Sequence, residues 1–417
     1  MEKSMWTTKT KLKLDNSVIH WWRNNRRPVL VSSMQGLAGL RLTKFADTVH
    51  HNFSIPVGGC EFPPLDPYSD SFRRICLSEV FVVEECSCLG HEHFQLLLHR
   101  LQTTFRYSTV QDLLANKLIL LVGDFSQLPP VCHHTISSDD ICRRCHISNS
   151  VIWPSRIVHY LNKSIRHRED PLFADFLNII RHRKPTQHEI DQALGPHMGY
   201  TETDILGLLG PDCTCLVTHR SQVQSYNTSM LSQCHSATSI VNTPLITNAT
   251  RATPSLLESM NVWVNDPYFH TLQACAIGAP VIFTNTTYGA SKSTGMVNGA
   301  TGIVVDITYK PDQTVKCIHV ELHCNGKIVR VHRNKYKTLR IEGNLYYKKT
   351  FPLMLAYAMT THKAQGATIP AKVVIDMQDA FVPGLLYVAL SRKPTRKELY
   401  IVGKLTPSMF TPVPLLL

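Results

Sequence analysis

A glutamine follows an apolar run at a spacing that suits phosphate chemistry. In LVGDFSQLPPV (121–131), the run ends in Gly-Asp and Gln127 comes three residues later. Ligands of open α/β sheets bind at the carboxyl ends of strands, where a glutamine can orient an attacking water or contact a γ-phosphate. A strand followed only by a polyproline turn would explain Pro129 and Pro130 but not the other residues. The segment therefore indicates a nucleotide-phosphate site that includes Gln127.

Two acidic residues end another apolar run, VFVVEECS (80–87). Carboxylates at a strand end suit a phosphate-bound Mg²⁺, with one residue supporting the ion and the other activating water. The usual pair is Asp-Glu, whereas Glu84 and Glu85 stand here, and Mg²⁺ demands strict geometry. A solvated loop with two acids is the alternative interpretation.

Two segments in the last third of the chain add groups for nucleic acid and for phosphate. LAYAMTTHKAQGATI (355–369) has the pattern of a helix and loop near nucleic acid, and LLYVALSRKPTRKELYI (385–401) that of a helix that carries Arg392. An arginine brought to a γ-phosphate stabilises the charge of the transition state. These residues extend the predicted site beyond the first half of the chain.

The elements that must hold these residues follow an α/β pattern. Short apolar, β-branched runs alternate with helical patterns such as HFQLLLHRLQTTFR (93–106), which is typical of an open sheet of parallel strands. After about residue 280 the pattern changes to short alternating strands separated by turn signals, among them Asn-Gly at 325–326. Residues 296–350 are therefore predicted to form a small antiparallel β-barrel.

Taken in order, these segments resemble the motifs of Pif-type DNA helicases, a superfamily-one group close to the RecD-like enzymes and to Helitron transposon helicases. VLVSSMQGLAG with TVHHNFSIP (48–56) resembles a DNA-contacting motif of the family, and LNKSIRHREDPLFADFLNIIR (161–181) resembles its fourth motif. The set is completed by GAPVIFTNT (278–286) and GMVNGATGIVV (295–305). The resemblance runs from about residue 10 to residue 402.

The resemblance implies two RecA-like α/β domains of the P-loop NTPase type with ATP and Mg²⁺ between them. The first domain would span residues 1–158, the second residues 159–295 and 351–417, and the barrel at 296–350 would be inserted into the second. The implied activity is ATP-driven 5′→3′ translocation on single-stranded DNA with unwinding of forked duplex, in DNA repair, recombination or replication. A monomer in the nucleus is expected, with the mitochondrion as the alternative compartment.

The resemblance also assigns roles to individual residues. Lys9 and Thr10 would hold phosphate and Mg²⁺, Glu84 would support the ion and Glu85 would activate water. Gln127 would contact the γ-phosphate, and Arg166 and Arg392 would neutralise it. The remaining expected nucleotide contacts are Asp124 and Gly366, and the expected DNA contacts are Thr48, His50, His362 and Lys363.

The N-terminal segment departs from the family. A working P-loop reads G-x-x-x-x-G-K-[ST], because its glycines let backbone amides cradle phosphate. KSMWTTKT (3–10) stands in its place, so Lys3 and Thr8 replace both glycines, and Gln35 stands where the family has Thr. Either the chain is a truncated or decaying helicase, or its start lies upstream. We interpret Lys9 and Thr10 as a degenerate remnant of the loop, with an unrelated basic N-terminus as the alternative. The alternative function is an inactive, possibly transposon-derived remnant that only binds nucleic acid.

Composition sets wider limits on the function. The chain of 417 residues carries a net charge of +12, which favours a polyanionic partner. We find no secretory signal and no uninterrupted apolar run long enough for a membrane span. The 13 cysteines are scattered, so free thiols in a reducing intracellular compartment are expected. Zinc at Cys142 and Cys145, in CRRCH (142–146), is the less favoured alternative because the spacing from Cys132 fits no standard finger.

Overall fold

The computed structural model describes most of the chain beyond the first 27 residues. The described residues are 24, 28–34, 46–56, 62–130, 145–160, 165–208, 210, 212–243, 246–247, 272–284, 294–341, 344–369, 371–377, 380 and 382–413. The chain divides into two compact units, Met1–Ile205 with Thr360–Leu417, and Leu206–Met359. The domain boundaries inferred from the sequence remain predictions.

The elements are numbered here in chain order. The strands are β1 (Val29–Ser33), β2 (Asp47–Thr48), β3 (Val80–Glu84), β4 (Leu118–Val122), β5 (Met198–Tyr200), β6 (Cys213–Val217), β7 (Val241–Asn242), β8 (Ile246–Thr247), β9 (Ala274–Cys275), β10 (Pro280–Phe283), β11 (Thr301–Tyr309), β12 (Val315–Leu322), β13 (Ile328–Val331), β14 (Asn334–Ile341), β15 (Asn344–Thr350), β16 (Leu353–Leu355), β17 (Ala358–Thr360), β18 (Lys372–Asp376) and β19 (Leu399–Val402). The helices are α1 (Val49–Asn52), α2 (Asp70–Cys76), α3 (His91–Phe105), α4 (Val110–Asn116), α5 (Pro171–His182), α6 (Gln187–Leu194), α7 (Glu202–Leu208), α8 (Arg220–Cys234), α9 (Thr361–Ala364) and α10 (Leu385–Leu390).

In the first unit, four parallel strands form a sheet in the order β2-β1-β3-β4. Successive side chains of β3 point to opposite faces, so Phe81 and Val83 pack with α3 while Val80 and Val82 pack on the other face. Both faces are therefore buried, as the continuous apolar runs of the sequence predicted. The same unit contains a second parallel group, β18-β19-β5.

The helices of this unit begin and end where their sequences require. The α3 helix buries Phe94, Leu97, Leu98 and Leu101, which recur at helical spacing and face the sheet. Capping boxes begin α4 at Thr109 and α6 at Thr186, in each case with an acidic side chain three residues later that accepts from the cap backbone.

The second unit is mainly antiparallel. Five strands pair in the order β13-β12-β11-β10-β16, and three more pair in the order β14-β15-β8. The Asn-Gly turn joins β12 to β13, and Gly326 has φ +64°, a conformation that glycine adopts without strain. The predicted antiparallel strands are therefore confirmed, although β10 and β16 extend the sheet beyond residues 296–350. Closure of these strands into a barrel remains a prediction.

One cysteine departs from the sequence prediction. Nine cysteines of the described part of the chain are free thiols, and two of them, Cys213 and Cys215, lie in the core on β6. Cys145, however, is disulfide-bonded, so the expectation of free thiols is wrong at this residue. Its oxidised sulfur is not a thiolate, and this argues against zinc at Cys142 and Cys145; Cys142 lies outside the described residues.

Within the described ranges, no helix is long and apolar enough to cross a membrane.

Candidate functional site

Three neighbouring strands of the first sheet end at the same edge. Glu84, the last residue of β3, lies in register between Ser33 of β1 and Val122 of β4. The chain leaving β1 stays close, because the backbone N–H of Met34 donates to the carbonyl oxygen of Glu84 at 3.3 Å. The acidic pair and the Gly-Asp loop that were predicted separately therefore meet at the carboxyl edge of one sheet, where α/β proteins bind ligands.

The acidic pair is held in a strained backbone. Both Glu84 and Glu85 are buried, and Glu85 begins a 3₁₀ turn at Cys86–Cys88 with φ +54° and ψ +42°. This left-handed conformation costs a residue other than glycine roughly 1–2 kcal/mol. Such strain persists where the surrounding packing enforces it and is concentrated at functional sites.

Gly123 brings the loop after β4 against this turn. A Cβ at position 123 would lie 2.6 Å from Sγ of Cys86 and 3.1 Å from the backbone N of Ser87. No real Cβ approaches other atoms so closely, so only glycine fits without a shift of the backbone. The glycine of the Gly-Asp pair thus lets the loop that leads to Gln127 pack against the turn that follows Glu84 and Glu85.

Asp124 is buried and is surrounded by donors from its own loop and from two later helices. Its carboxylate accepts from Arg181 Nη2 at 2.7 Å, from Ser126 N at 3.1 Å, from Tyr387 Oη at 3.2 Å and from Gln127 Nε2 at 3.4 Å. Burial alone would raise the pKa of the Asp124 carboxyl, but the Arg181 guanidinium and these hydrogen bonds outweigh burial and hold the pKa below its usual value. Asp124 is therefore ionised at neutral pH.

Gln127 presents an amide oxygen to the site. Its Nε2 donates to Asp124, while its buried Oε1 accepts no hydrogen bond from any described residue. A buried amide oxygen without a donor is destabilising unless a ligand or water supplies one. This geometry fits a water or a phosphate-bound group at the position where the sequence predicted nucleotide.

The two predicted arginines lie on the segments around α5 and α10. Arg166 Nη1 donates to the carbonyl oxygen of Ser391 at 2.7 Å, which links the two segments next to Arg392. The Arg392 guanidinium is buried and donates to the carbonyl oxygens of Val388 at 2.8 Å and Ala367 at 3.2 Å. The structure thus brings Arg166 and Arg392 together.

A histidine lies close enough to both cations to feel their charge. His167 is buried, and its ring meets Phe173 edge-on with the centroids 5.7 Å apart. Burial lowers the pKa of His167 to about 3, with further contributions from the positive charges of Arg166 and Arg392. A neutral imidazole here avoids a third positive charge beside the arginines.

The first pair of predicted DNA contacts lies on and before α1. Thr48 caps this helix by accepting from the backbone N–H of His51 at 3.2 Å, and His50 Nδ1 contacts the carbonyl oxygen of Ile55 at 3.1 Å. Asn52 fixes α1 to the sheet, because its buried amide donates to the carbonyl oxygen of Val31 and to Ser32 Oγ. Thr48 and His50 therefore stand on a fixed support at the same sheet edge.

The second pair lies on α9, which follows β17. Thr361 and Ala364 are buried, whereas His362 and Lys363 are half-buried. Gly366, two residues after the helix, has φ +73° and turns the chain toward Ala367, whose carbonyl receives Arg392. The proposed nucleotide and DNA residues of this segment are thus only a few positions apart.

Some predicted positions cannot be compared with the structure. Lys9, Thr10 and Gln35 lie outside the described residues. No group of three or more His, Cys, Asp or Glu side chains suited to a metal ion occurs in the described part of the chain.

The sequence reasoning missed Arg181, Tyr387 and His167. The burial of Arg181 could have been predicted from the sequence. Arg181 follows Leu177 by four residues and Ile180 by one, so it falls on the apolar face of α5. A charge on such a face must be buried, and a buried charge requires a partner of opposite sign. The contact of Tyr387 could not have been predicted in this way. All residues of α10 are buried, and nothing in its sequence identifies the acceptor of the Tyr387 hydroxyl.

Sequence comparison finds relatives of this chain among DNA helicases. A family model described as PIF1-like helicase matches residues 5–182. The ATP-dependent DNA helicase Pif1 of Bdellovibrio bacteriovorus is 30% identical over 287 residues, which make up 68% of this chain and 58% of that protein. The ATP-dependent DNA helicase PIF1 of Danio rerio is 28% identical over 315 residues, 75% of this chain and 44% of that protein. The chain therefore spans about half the length of these relatives.

Solved structures agree on the fold. Bacteroides Pif1 bound to ssDNA aligns with 99% of this chain and 91% of its own, with a TM-score of 0.73 and 21% identity. Pif1 helicase from Candida albicans aligns with 97% of this chain and 90% of its own, with a TM-score of 0.76 and 20% identity. The predicted RecA-like α/β fold is confirmed. With the sequence motifs, the family match and the shared fold in agreement, the chain belongs to the PIF1-like helicase family.

Proposed function

We propose that this protein is an ATP-dependent DNA helicase that moves 5′→3′ on single-stranded DNA and unwinds forked duplex as a monomer. The observation that carries the proposal is the meeting of Glu84, Glu85 and Gln127 at the carboxyl edge of one sheet, in the unit that also contains Arg166 and Arg392. Family membership supports the same activity. DNA repair, recombination or replication in the nucleus is the setting we propose, with the mitochondrion as the alternative.

In this proposal each residue acts on a defined part of the reaction. ATP with Mg²⁺ supplies the phosphoryl group that is transferred to water. Lys9 and Thr10 hold phosphate and ion, and Glu84 supports the ion through its carboxylate. Glu85 accepts a proton from the attacking water while Gln127 Oε1 orients that water. Asp124 and Gly366 shape the nucleotide pocket.

Arg166 and Arg392 neutralise the charge that develops on the phosphate oxygens. The buried Arg392 donates to main-chain carbonyls in this structure, so it must exchange at least one of these hydrogen bonds for a phosphate oxygen. His167 assists by staying neutral, because a charged neighbour would repel both arginines.

DNA contacts come from Thr48, His50, His362 and Lys363. Hydroxyl, imidazole and ammonium groups donate to phosphate oxygens, and such contacts position a nucleic acid without reading its sequence. Further DNA contacts are proposed within the second unit, at the basic and aromatic residues of β14 and β15, since cations next to stacking rings suit single strands. Bacteroides Pif1 has been solved bound to ssDNA, and this supports single-stranded DNA as the partner.

Strand displacement on tailed duplexes tests the proposal. With ATP, the chain should displace a strand from a duplex with a 5′ tail and leave one with a 3′ tail intact. Gln127→Ala should abolish displacement while single-stranded DNA remains bound. Gln111→Ala, an exposed glutamine of α4, is the matched control and should behave as the wild type.

The loss of both P-loop glycines favours a second candidate, a remnant that binds DNA without hydrolysing ATP. DNA binding without displacement on either substrate would support that candidate against the helicase. Displacement from the 3′-tailed duplex instead would contradict the proposed direction.

A further inference from the structure

The buried carboxylate of Asp124 joins three parts of the first unit. One oxygen accepts from Arg181 at the end of α5, and the other accepts from the hydroxyl of Tyr387 on α10. The same carboxylate holds the amide nitrogen of Gln127 at 3.4 Å. Arg181 also donates from Nε to Ser126 Oγ at 3.0 Å, so it grips the Gln127 loop at two places.

The backbone of α10 connects Tyr387, which contacts Asp124, with Arg392. All six residues of α10 are buried, and the backbone N–H of Ser391 donates to the carbonyl oxygen of Tyr387 at 2.9 Å. Arg392 then donates from Nε to the carbonyl oxygen of Val388. Burial and the adjacent Asp124 charge raise the pKa of Tyr387, so its hydroxyl stays protonated and donates to Asp124 at neutral pH.

A second contact joins the same loop to the same helix. Gly384 caps α10 with φ +80°, and a Cβ there would lie 3.2 Å from the carbonyl oxygen of Ser126 and 3.4 Å from that of Gln127. The loop and the first turn of α10 therefore pack backbone against backbone. This approach is independent of the Tyr387 hydroxyl.

Helix α5 braces the arrangement at both of its ends. Asp170, its N-cap residue, accepts from Arg396 Nη2 at 2.8 Å and from Nε of the same side chain at 2.9 Å. Arg181, in its last turn, reaches Asp124. One rigid helix thus connects the Gln127 loop with the chain that follows Arg392.

We propose that Asp124, Arg181 and Tyr387 form a positioning latch that fixes the side chain of Gln127 relative to Arg392. The latch deepens the proposed function and rests on it. Gln127 Oε1 can orient water only if Nε2 is held, and Asp124 is the group that holds Nε2. Because α10 and α5 grip the same carboxylate, Gln127 and Arg392 move together. Asp124 is then a positioning residue that acts on the reaction through Gln127.

Removal of one hydroxyl tests the latch. Tyr387→Phe should lower the kcat of ATP hydrolysis about tenfold, the order expected for one buried hydrogen bond to a charged group, while the KM for ATP stays within about twofold. Tyr400→Phe, a half-buried tyrosine of β19, is the matched control and should leave kcat unchanged. In the double variant, Tyr387→Phe should add little to the loss caused by Gln127→Ala, because both changes remove the same positioned amide.

A catalytically silent wild type would defeat the proposed function but leave the latch measurable. Hydrogen–deuterium exchange of the full chain then compares the segments 124–130 and 385–392. Tyr387→Phe should speed exchange in both segments, since the latch connects them. Faster exchange in 385–392 alone would overturn the latch, as would an unchanged kcat or fully additive losses in an active enzyme.

Discussion

Glu85 shows how a single residue combines strain and chemistry. Its left-handed backbone lies directly after the strand end at Glu84, and its side chain is buried at the edge where Gln127 arrives. A glycine or asparagine would adopt this conformation more readily. A carboxylate at such a position is therefore not there for ease of folding, and this agrees with the proton transfer that we propose for Glu85.

We predict that Glu85→Gln lowers ATP turnover by about 10²-fold or more, the usual contribution of a positioned general base. The amide preserves the shape of the side chain, so affinity for single-stranded DNA should not change. Steady-state hydrolysis and a DNA-binding titration measure the two effects. Glu92→Gln, an exposed acid at the start of α3, is the control, and equal losses in both variants would contradict the assignment.

His167 predicts an acid-labile fold. Its pKa is lowered to about 3 in the folded chain from 6.5, so the unfolded chain binds the proton more tightly between these values. The stability that the neutral His167 contributes is therefore fully present above about pH 6.5, and it is lost as the pH falls toward 3. Between pH 7 and pH 5, His167 should account for about 2 kcal/mol of lost unfolding free energy.

Denaturant unfolding at the two pH values tests this prediction. His167→Gln should unfold with a smaller loss between pH 7 and pH 5 than the wild type, because glutamine does not titrate. His188→Gln, an exposed histidine of α6, should retain the wild-type loss. An unchanged loss in His167→Gln would show that the imidazole is not held neutral.

At the scale of elements, the ends of β1, β3 and β4 create the site. The apolar runs predicted these strands to within a few residues, and the rule for open sheets predicted that their carboxyl ends meet. The sequence could not predict that α5 and α10 contribute Arg181 and Tyr387, because side-chain partners more than 50 positions apart depend on the tertiary packing. The local sequence pattern thus predicted the carboxyl edge of the sheet. It did not predict the buried hydrogen bonds that Arg181 and Tyr387 make.

We predict that Gly123→Ala destabilises the first unit by about 1–3 kcal/mol, the usual effect of forcing a methyl group into a filled space. Its Cβ would collide with Cys86, so activity should fall together with stability. Gly207→Ala is the matched control, because a Cβ at this helical position meets nothing within 4 Å. That control should stabilise its helix by up to about 1 kcal/mol. Thermal unfolding measures the stability of both variants. Equal changes in stability would contradict the argument that the space around Gly123 is filled.

At the scale of the whole molecule, the net charge of +12 favours a polyanionic partner, and we propose that such a partner binds at the hairpin β14–β15. Lys335 and Lys349 are cross-strand partners, and their Nζ atoms lie 4.9 Å and 5.4 Å from the ring centroid of Tyr347. Tyr347 and Lys349 are half-buried, whereas Tyr346 and Lys348, on the opposite face of β15, are buried. One face of the hairpin therefore combines an aromatic ring with two cations.

We predict that Tyr347→Ala weakens binding of single-stranded DNA by roughly tenfold, since stacking of one base on an aromatic ring contributes about 1–3 kcal/mol. Lys349→Ala should reduce the slope of log affinity against log salt by about 0.7, the value for one phosphate contact on a single strand. Tyr309→Ala, an exposed tyrosine of β11, is the control. Fluorescence anisotropy over a salt series measures both the affinity and its salt dependence. Wild-type affinity in Tyr347→Ala would contradict the proposal that the hairpin binds DNA.

The account depends most on whether the Glu85, Gln127 and Arg392 site hydrolyses ATP despite the missing P-loop glycines. The most direct test is ATP turnover by the purified chain with and without single-stranded DNA, alongside Lys9→Ala and Gln127→Ala. We expect turnover that DNA stimulates, that Lys9→Ala abolishes and that Gln127→Ala lowers strongly. No turnover from the wild-type chain, with salt-sensitive DNA binding retained, would contradict the account and identify the protein as a DNA-binding descendant of a helicase.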